Sequence, residues 1–207
     1  MKISELFRNE IGKDQVVYPA DRPRRSPNFS WKIGSGYDVY YSPGEFSKVR
    51  VFDGKTLVAR VGFSLLDSPD TGDRLNNIQQ AGMAEVKKAY QGQNLGLELY
   101  RNLIVKENWI ISGFDHSTGA RKLWTRLSTQ PEITVYAYNP DWDWDVAWHI
   151  PTIKGNELSL QGKNIYDSDQ WHLIAVHKNG AADQIITKDN PTLLKKLKKK
   201  SQIVQNA

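Results

Sequence analysis

The hydrophobic period of this 207-residue chain changes at Gly92, and that change bounds what it can fold into. Before Gly92, short runs of strand formers dominate: Tyr37-Asp-Val-Tyr-Tyr41, Val49-Arg-Val-Phe52 and Thr56-Leu-Val-Ala-Arg-Val-Gly-Phe63. β-branched and aromatic side chains suit a pleated, half-buried surface. The last two runs flank Asp53-Gly54, a dipeptide that supplies positive φ for a tight hairpin. From Gly92 to Asn108 the pattern is helical, with Leu95, Leu99 and Leu103 four apart and Tyr100 and Ile104 beside them. Both periods in one chain require a mixed fold.

The remaining runs extend that order. Ile78–Val86 reads as a strand, and Trp109-Ile-Ile-Ser-Gly113 as a buried one. Ser117 is placed to cap a second helix running through Leu127. Ile133–Tyr138 alternates as a strand, and Trp171–His177 is a last strand. Hairpin, strand, helix, strand, helix, strand gives an α/β (α+β) domain with no internal repeat. Upstream, Ser4–Ile11 has Leu6, Phe7 and Ile11 near one helical face. Tyr18–Pro27 (YPADRPRRSP) holds three prolines, which forbid regular structure and predict an extended arm. That arm lies either on the surface or across a partner. Asp67–Asn77 reads as a polar loop.

Charge divides the chain further. The formal charge is +5, from 28 Lys+Arg and 23 Asp+Glu. Lys188–Ala207 alone holds Lys188, Lys195, Lys196, Lys198, Lys199 and Lys200 against Asp189, which accounts for the whole excess. The body is neutral, so the net charge is no argument for a basic nucleic-acid-binding face there. The expected organisation is an N-terminal helix and arm over 1–30, one domain over 31–187 and a basic tail over 188–207. Leu193, Leu194 and Leu197 fall at helical spacing with the lysines, which predicts a short basic amphipathic helix. It is either docked by its leucines or available to nucleic acid, an acidic partner or an anionic surface. The absence of cysteine excludes disulfides, thiolate metal sites and a cysteine nucleophile. No apolar run approaches the roughly 18 residues of a membrane span, and the start carries acids rather than a signal-peptide apolar stretch. A cytoplasmic enzyme or binding protein with no membrane contact is expected.

The most informative stretch runs Val86-Lys-Lys-Ala-Tyr-Gln91-Gly92-Gln93-Asn94-Leu95-Gly96-Leu-Glu-Leu99-Tyr100. A strand ends, a glycine-containing turn follows and a helix begins. Backbone N–H groups of such a turn and helix start form a nest for anionic oxygens. The lysine of a nucleotide P-loop is missing.

This segment resembles the acyl-CoA-binding motif of the GNAT superfamily of acyltransferases. In that motif a valine ends the fourth strand, Arg/Gln-x-x-Gly-x-Gly/Ala begins five residues later, and a Leu/Tyr-bearing helix follows. Val86, Gln91, Gly96 and Leu99-Tyr100 are in register, with Asn94 in place of the middle glycine. Ser117-Thr-Gly-Ala120-Arg-Lys-Leu123-Trp124 is similar to the family's later helix, and the resemblance covers roughly Trp31 to His177. Among GNAT-like chains it is most similar to those of bacteriophages, where a Gly-Ala/Gly-Arg-Lys-Leu-Trp helix is frequent.

The resemblance implies a GNAT-like, mainly antiparallel twisted sheet flanked by helices. It implies acetyl-CoA or another acyl-CoA as cofactor, held by Val86, Gln91, Gly92, Gln93, Asn94 and Gly96. A substrate amine would attack the thioester directly, the protein supplying position and an oxyanion donor. Two positions depart from the family. Trp124 occupies the place of the Tyr that protonates the leaving thiolate, and an indole N–H is no general acid at neutral pH. Gln79 and Gln80 stand where a carboxylate base is usual, and Glu85 is the one acid on that strand. Glu85, His116 and Ser117 are therefore the candidates for catalysis. The rival implied by these departures is a catalytically idle GNAT-like phage protein that binds a host or virion partner. A third reading, modification of a nucleic acid, follows from the tail and the arginine arm.

Asp141-Trp-Asp-Trp-Asp145 places three carboxylates two residues apart. It reads as an acidic edge with tryptophans packed inward, as an attractor of a cationic amine, or as a hard-cation site. No metal site is expected. His149, His172 and His177 share no ligand spacing and read as structural, and Tyr136 and Tyr138 as packed strand residues.

Overall fold

The computed structural model describes residues 29–34, 36–42, 46–66, 78–113, 116–139, 141–142, 147–167, 171–188, 190 and 193. The expected N-terminal helix, the proline arm, the Asp67–Asn77 loop and all but the start of the lysine tail lie outside them. The chain divides into two compact units, Met1–Leu65 with Ala81–Glu98, and Leu66–Gln80 with Leu99–Ala207.

The first unit is a meander of β1 (Phe29–Ile33), β2 (Tyr37–Ser42), β3 (Phe46–Asp53) and β4 (Thr56–Leu66), each antiparallel to the next. Inward residues alternate as strand geometry requires, so Val39 faces Val51 and Tyr41 faces Val49, all buried. The expected hairpin is present with its turn one residue later. Asp53 pairs with Thr56, and Gly54-Lys55 forms the loop. Gly54 takes φ +57°, the sign a type II′ turn needs at its first central position. Val51 opposes Ala59 while Phe52 opposes Leu57, so Val58 is the extra residue of a bulge. The carbonyl of Val58 accepts the N–H of Lys87 at 2.9 Å, which anchors the exit of β5 (Ile78–Val86). Arg60 Nε also meets Glu85 Oε2 at 3.0 Å. As the β5 numbers rise their β4 partners fall, so this part of β5 runs antiparallel to β4.

Helix α1 (Leu95–Glu107) buries Leu95, Leu99, Tyr100, Leu103 and Ile104, the residues its period selects, and Leu97 besides. Asn108, just past its end, adopts φ +66° and stops it in the left-handed conformation that asparagine tolerates.

In the second unit the strands order as β6-β12-β7-β8: β6 (Trp109–Ile111), β7 (Ile133–Tyr138), β8 (Trp148–His149) and β12 (His172–His177). These pairings are antiparallel, and Gln80 pairs in parallel with Ile111. The fold is thus α+β and mainly antiparallel. Trp109, Ile111, Tyr136, Tyr138, Ile174 and Val176 pack in one core with Ala182 and Ile186 of helix α3 (Ala181–Lys188) and with Leu193. The intervening Ile110, Val135, Ala137, Leu173 and Ala175 are buried too. Both faces are covered, so β7 does not show the alternation expected of it.

Helix α2 (Thr118–Leu127) begins as expected, with Ser117 Oγ accepting the N–H of Ala120 at 3.2 Å. Between β8 and β12 lies a small sheet the sequence reading did not anticipate: β9 (Thr152–Lys154), β10 (Glu157–Leu160) and β11 (Lys163–Asn164), in the order β11-β10-β9. α2 packs on β7 and β10. Among the described residues, no helix is long and apolar enough to cross a membrane.

Candidate functional site

The turn after β5 is built from the first unit alone. Lys87, held by the Val58 bulge, starts a single 3-10 turn over Lys88–Tyr90. Tyr90 N–H donates to Lys87 O at 2.8 Å and Gln91 N–H to Lys88 O at 3.2 Å. Gly92 then takes φ +80° and Asn94 φ +64°. Two left-handed residues in three reverse the chain and feed it into α1. The first α-helical bond of α1 runs from Glu98 N–H to Asn94 O at 3.0 Å. The amides of Leu95, Gly96 and Leu97 precede that bond, so the helix offers them no acceptor of its own. Gln91, Gly92, Gln93 and Asn94 are exposed, while Leu95 and Leu97 anchor the helix start in the core.

Side chains brace this turn. Gln91 Nε2 donates back to Val86 O at 3.0 Å, and Gln93 Nε2 to Ala89 O at 3.2 Å. Gln93 Oε1 accepts from the Tyr37 hydroxyl at 3.0 Å. Tyr90 donates to Asp53 Oδ2 at 3.0 Å, and that carboxylate raises the Tyr90 pKa above its ordinary value. The Tyr37 and Tyr90 rings meet edge to face at 6.1 Å. Strand β2, the hairpin tip and the turn are thereby tied together. Gly34, at φ +53°, passes so close to Glu98 that a Cβ there would lie 2.7 Å from Oε2. All six residues expected to hold the cofactor therefore lie in one short segment: Val86, Gln91, Gly92, Gln93, Asn94 and Gly96. Lys87 and Lys88 lie within it, and the first acid after them is Glu98.

The three candidates for catalysis are already engaged. Glu85 lies in the first unit, paired with Arg60. His116 and Ser117 belong to the second. Ser117 caps α2, as its sequence position predicts. His116 is half-buried, its ring 5.0 Å from that of Tyr166, and its carbonyl accepts from Arg121 Nε at 3.2 Å. Arg121 lies 5.1 Å above the Tyr166 ring, and Tyr166 donates its hydroxyl to Arg121 O at 3.2 Å. Burial pushes the Tyr166 pKa up to about 12, so it stays a neutral phenol. Trp124 is buried. Gln80 Nε2 donates to Ser112 O at 3.2 Å. Tyr138 is packed in the core, and Tyr136 is buried with its hydroxyl 2.6 Å from Asp183 Oδ1. His172 is buried with Nδ1 3.3 Å from Ser112 O, and desolvation lowers its pKa.

In the acidic run, Asp141 and Trp142 are exposed, whereas Asp143, Trp144 and Asp145 lie outside the described residues. Trp142 is 45% exposed, which corrects the inward packing expected for it. Its ring meets those of His149 and Trp171, a grouping of residues 29 positions apart along the chain that no local pattern announces. Among the described residues no group of three or more His, Asp or Glu is placed to hold a metal ion. No protein-family model matches the chain, and no curated protein matches it.

Proposed function

We propose that the protein is an acyl-CoA-dependent N-acyltransferase of the GNAT type, transferring an acetyl or related acyl group to an amine. The observation that carries this reading is the turn from Val86 to Leu97. It pairs two positive-φ residues, Gly92 and Asn94, in an exposed turn that leads into a helix start, with two neighbouring lysines. Amides at a helix start together with ammonium groups suit the diphosphate of coenzyme A. Backbone recognition is also why Asn94 can replace a glycine: its φ is what the turn needs, and asparagine reaches it more readily than other side chains. Once bound, the cofactor supplies the thioester. The chain's part is to hold the diphosphate and orient the acyl group. The thioester would offer its carbonyl carbon to the amine nitrogen and its sulfur as the leaving group, with the amine's proton passing through water to the thiolate, while Gln91, Gly92, Gln93, Asn94 and Gly96 would hold the diphosphate. The setting proposed is the cytoplasm, that of the host if the chain is phage-encoded.

Calorimetry with acetyl-CoA tests this. We expect saturable binding that Gly92→Glu abolishes, since it adds a carboxylate and a strained φ at the turn. No heat at near-millimolar acetyl-CoA would sink the proposal.

A second reading, a GNAT-like protein that binds a partner without catalysis, draws support from Trp124 and Glu85. Trp124, at the sequence position where the family has its proton donor, is a buried indole, and Glu85 is paired with Arg60. Acetyl-CoA binding without acetyl transfer to any of a panel of amines, polyamines, peptides and RNA would favour it. Deleting Lys188–Ala207 tests the nucleic-acid reading. An unchanged RNA affinity and salt slope would reject it.

A further inference from the structure

The second unit exposes an aromatic group that the acyltransfer reading does not use. Trp142, His149 and Trp171 are mutual neighbours. Their ring centroids are 5.6 Å apart for Trp142–His149, 5.3 Å for Trp142–Trp171 and 5.3 Å for His149–Trp171. Their planes cross at 74°, 80° and 88°, so every pair is edge to face. A ring taking a neighbour's edge on one face keeps its other face for something else. Trp142 as a whole is 45% exposed.

The group is held from below. Asn139, almost fully buried, donates its N–H to Ala147 O at 3.1 Å. Its side-chain Oδ1 accepts the N–H of Asp141 at 2.9 Å, and its carbonyl accepts the N–H of Trp142 at 3.3 Å. His149 is fixed in β8 opposite Ala137, and Trp171 immediately precedes β12. His149 thus rides on β8 and Trp171 stands at the start of β12, the strands on either side of β7, while Trp142 lies in the connection that follows β7.

The chain segments that supply the rings carry charge of one sign. The stretch from Ile133 to Ile153, which supplies Trp142 and His149, contains Asp141, Asp143 and Asp145 and no Lys or Arg. The stretch from Asn164 to His177, which supplies Trp171, contains Asp167 and Asp169 and again no Lys or Arg. Asp141 and Asp167 are exposed. An indole face attracts cations that shed water easily, and nearby carboxylates raise the local concentration of any cation. Small inorganic ions are a poor match, because they want converging oxygens, and none converge among the described residues.

We propose that the open face of Trp142, backed by Trp171 and His149 and flanked by Asp141, binds an alkylated ammonium group. This site belongs to the second unit and does not depend on the acyltransfer reading. Its occupant is a methylated or quaternary ammonium, free or borne by a larger molecule.

The test uses the full-length protein and titrates choline, tetramethylammonium, potassium and the neutral choline isostere 3,3-dimethylbutan-1-ol, read by tryptophan fluorescence and calorimetry. Expected are saturable binding of both organic cations, at least about tenfold weaker binding of the alcohol, and no competition by equimolar potassium. Trp142→Ala, at an exposed position, should keep the circular dichroism spectrum and lose at least about tenfold in choline affinity; Trp142→Phe should keep part of it. Asp141→Asn should weaken the cations and leave the alcohol unchanged. Equal binding of choline and the alcohol overturns the proposal, as does choline binding unaltered in a folded Trp142→Ala protein. If Trp142→Ala fails to fold, the choline-to-alcohol ratio in the wild-type protein decides alone.

Discussion

Asn94 is where the geometry of the cofactor turn can be challenged most directly. At φ +64° it occupies a region that costs an ordinary L-residue about 1–2 kcal/mol. Asparagine escapes part of that cost, because its short polar side chain can hydrogen-bond locally. Replacing it with alanine should therefore destabilise the protein by about 1 kcal/mol. In a chain of this size that corresponds to a fall in Tm of about 2–4 °C. Replacing it with glycine removes the strain but adds unfolded-chain entropy, two effects of about 0.5–1 kcal/mol that nearly cancel. Gly96, two residues on, is the internal control. It lies in the first turn of α1 without positive φ, and a Cβ there would meet nothing within 4 Å. Gly96→Ala should stabilise by up to about 1 kcal/mol from helix propensity alone. Urea denaturation followed by circular dichroism measures all three variants. Asn94→Ala as stable as wild type, or Gly96→Ala destabilised, would show that the chain does not turn as described. Under the acyl-CoA reading Asn94→Gly should also bind acetyl-CoA at least as tightly as wild type, because it clears a Cβ from the anion's approach.

Tyr136→Phe should cost about 1.5–3 kcal/mol in urea denaturation, because it takes away a hydrogen bond to the buried Asp183 carboxylate, which keeps its 2.8 Å bond from Asn179 N–H. For His172, burial lowers the folded pKa below the ordinary 6.5, so as pH falls through about 6.5 the unfolded chain takes up a proton that the folded one refuses. Stability should fall there by at most about 1.4 kcal/mol per pH unit and level off below the folded pKa, with the slope reduced in His172→Gln. Glu85→Gln should cost only about 0.2–1 kcal/mol, because the Arg60 pair is partly exposed, and should leave any acetyl transfer intact; an activity loss of a hundredfold or more, about 2.7 kcal/mol, would make Glu85 a base after all.

Legibility in the sequence followed locality. The Asp53-Gly54 hairpin, the Leu95/Leu99/Leu103 row and the Ser117 cap are set by neighbours within four residues, and all were readable to within a residue or two. The alternation expected of Ile133–Tyr138 was not observed, because Val135 and Ala137 are buried on the second face as well, a tertiary fact that no two-residue period encodes. The small sheet is marked in the sequence only by its turns. Gly155-Asn156 and Gln161-Gly162 are two-residue hairpin loops with φ +64° at Gly155 and +51° and +83° at Gln161 and Gly162. Their strands are too short and polar for hydrophobic pattern to reveal. Helix α3 was hidden similarly: its eight residues expose Gln184 and Lys188 and bury only Ala182, Asp183 and Ile186. At the candidate site, Gly92 and Asn94 were legible because backbone sign is written in residue type. The grouping of Trp142 with Trp171 was not, since it depends on β7 and β12 being neighbours.

Under the acyl-CoA reading, the two departures from the GNAT pattern differ in weight. An alkyl thiolate is a far weaker base than an alkoxide, so it leaves without strong acid, and water can protonate it afterwards. The buried Trp124 is therefore a modest handicap. The amine is the harder problem. A lysine-like ammonium, pKa about 10.4, is about one part in a thousand free base near pH 7.4, which amounts to about 4 kcal/mol of the barrier if no group on the protein removes the proton. Glu85 is paired with Arg60 and Ser117 caps a helix, which leaves His116 as the one candidate of suitable chemistry. With no base acting, kcat/KM should rise about tenfold per pH unit until the amine's own pKa. That is the profile we expect, because the His116 ring is packed against Tyr166 rather than presented on an open surface. A plateau beginning near pH 7 in the wild-type protein, and lost in a folded His116→Gln variant, would refute it and place the proton on that imidazole.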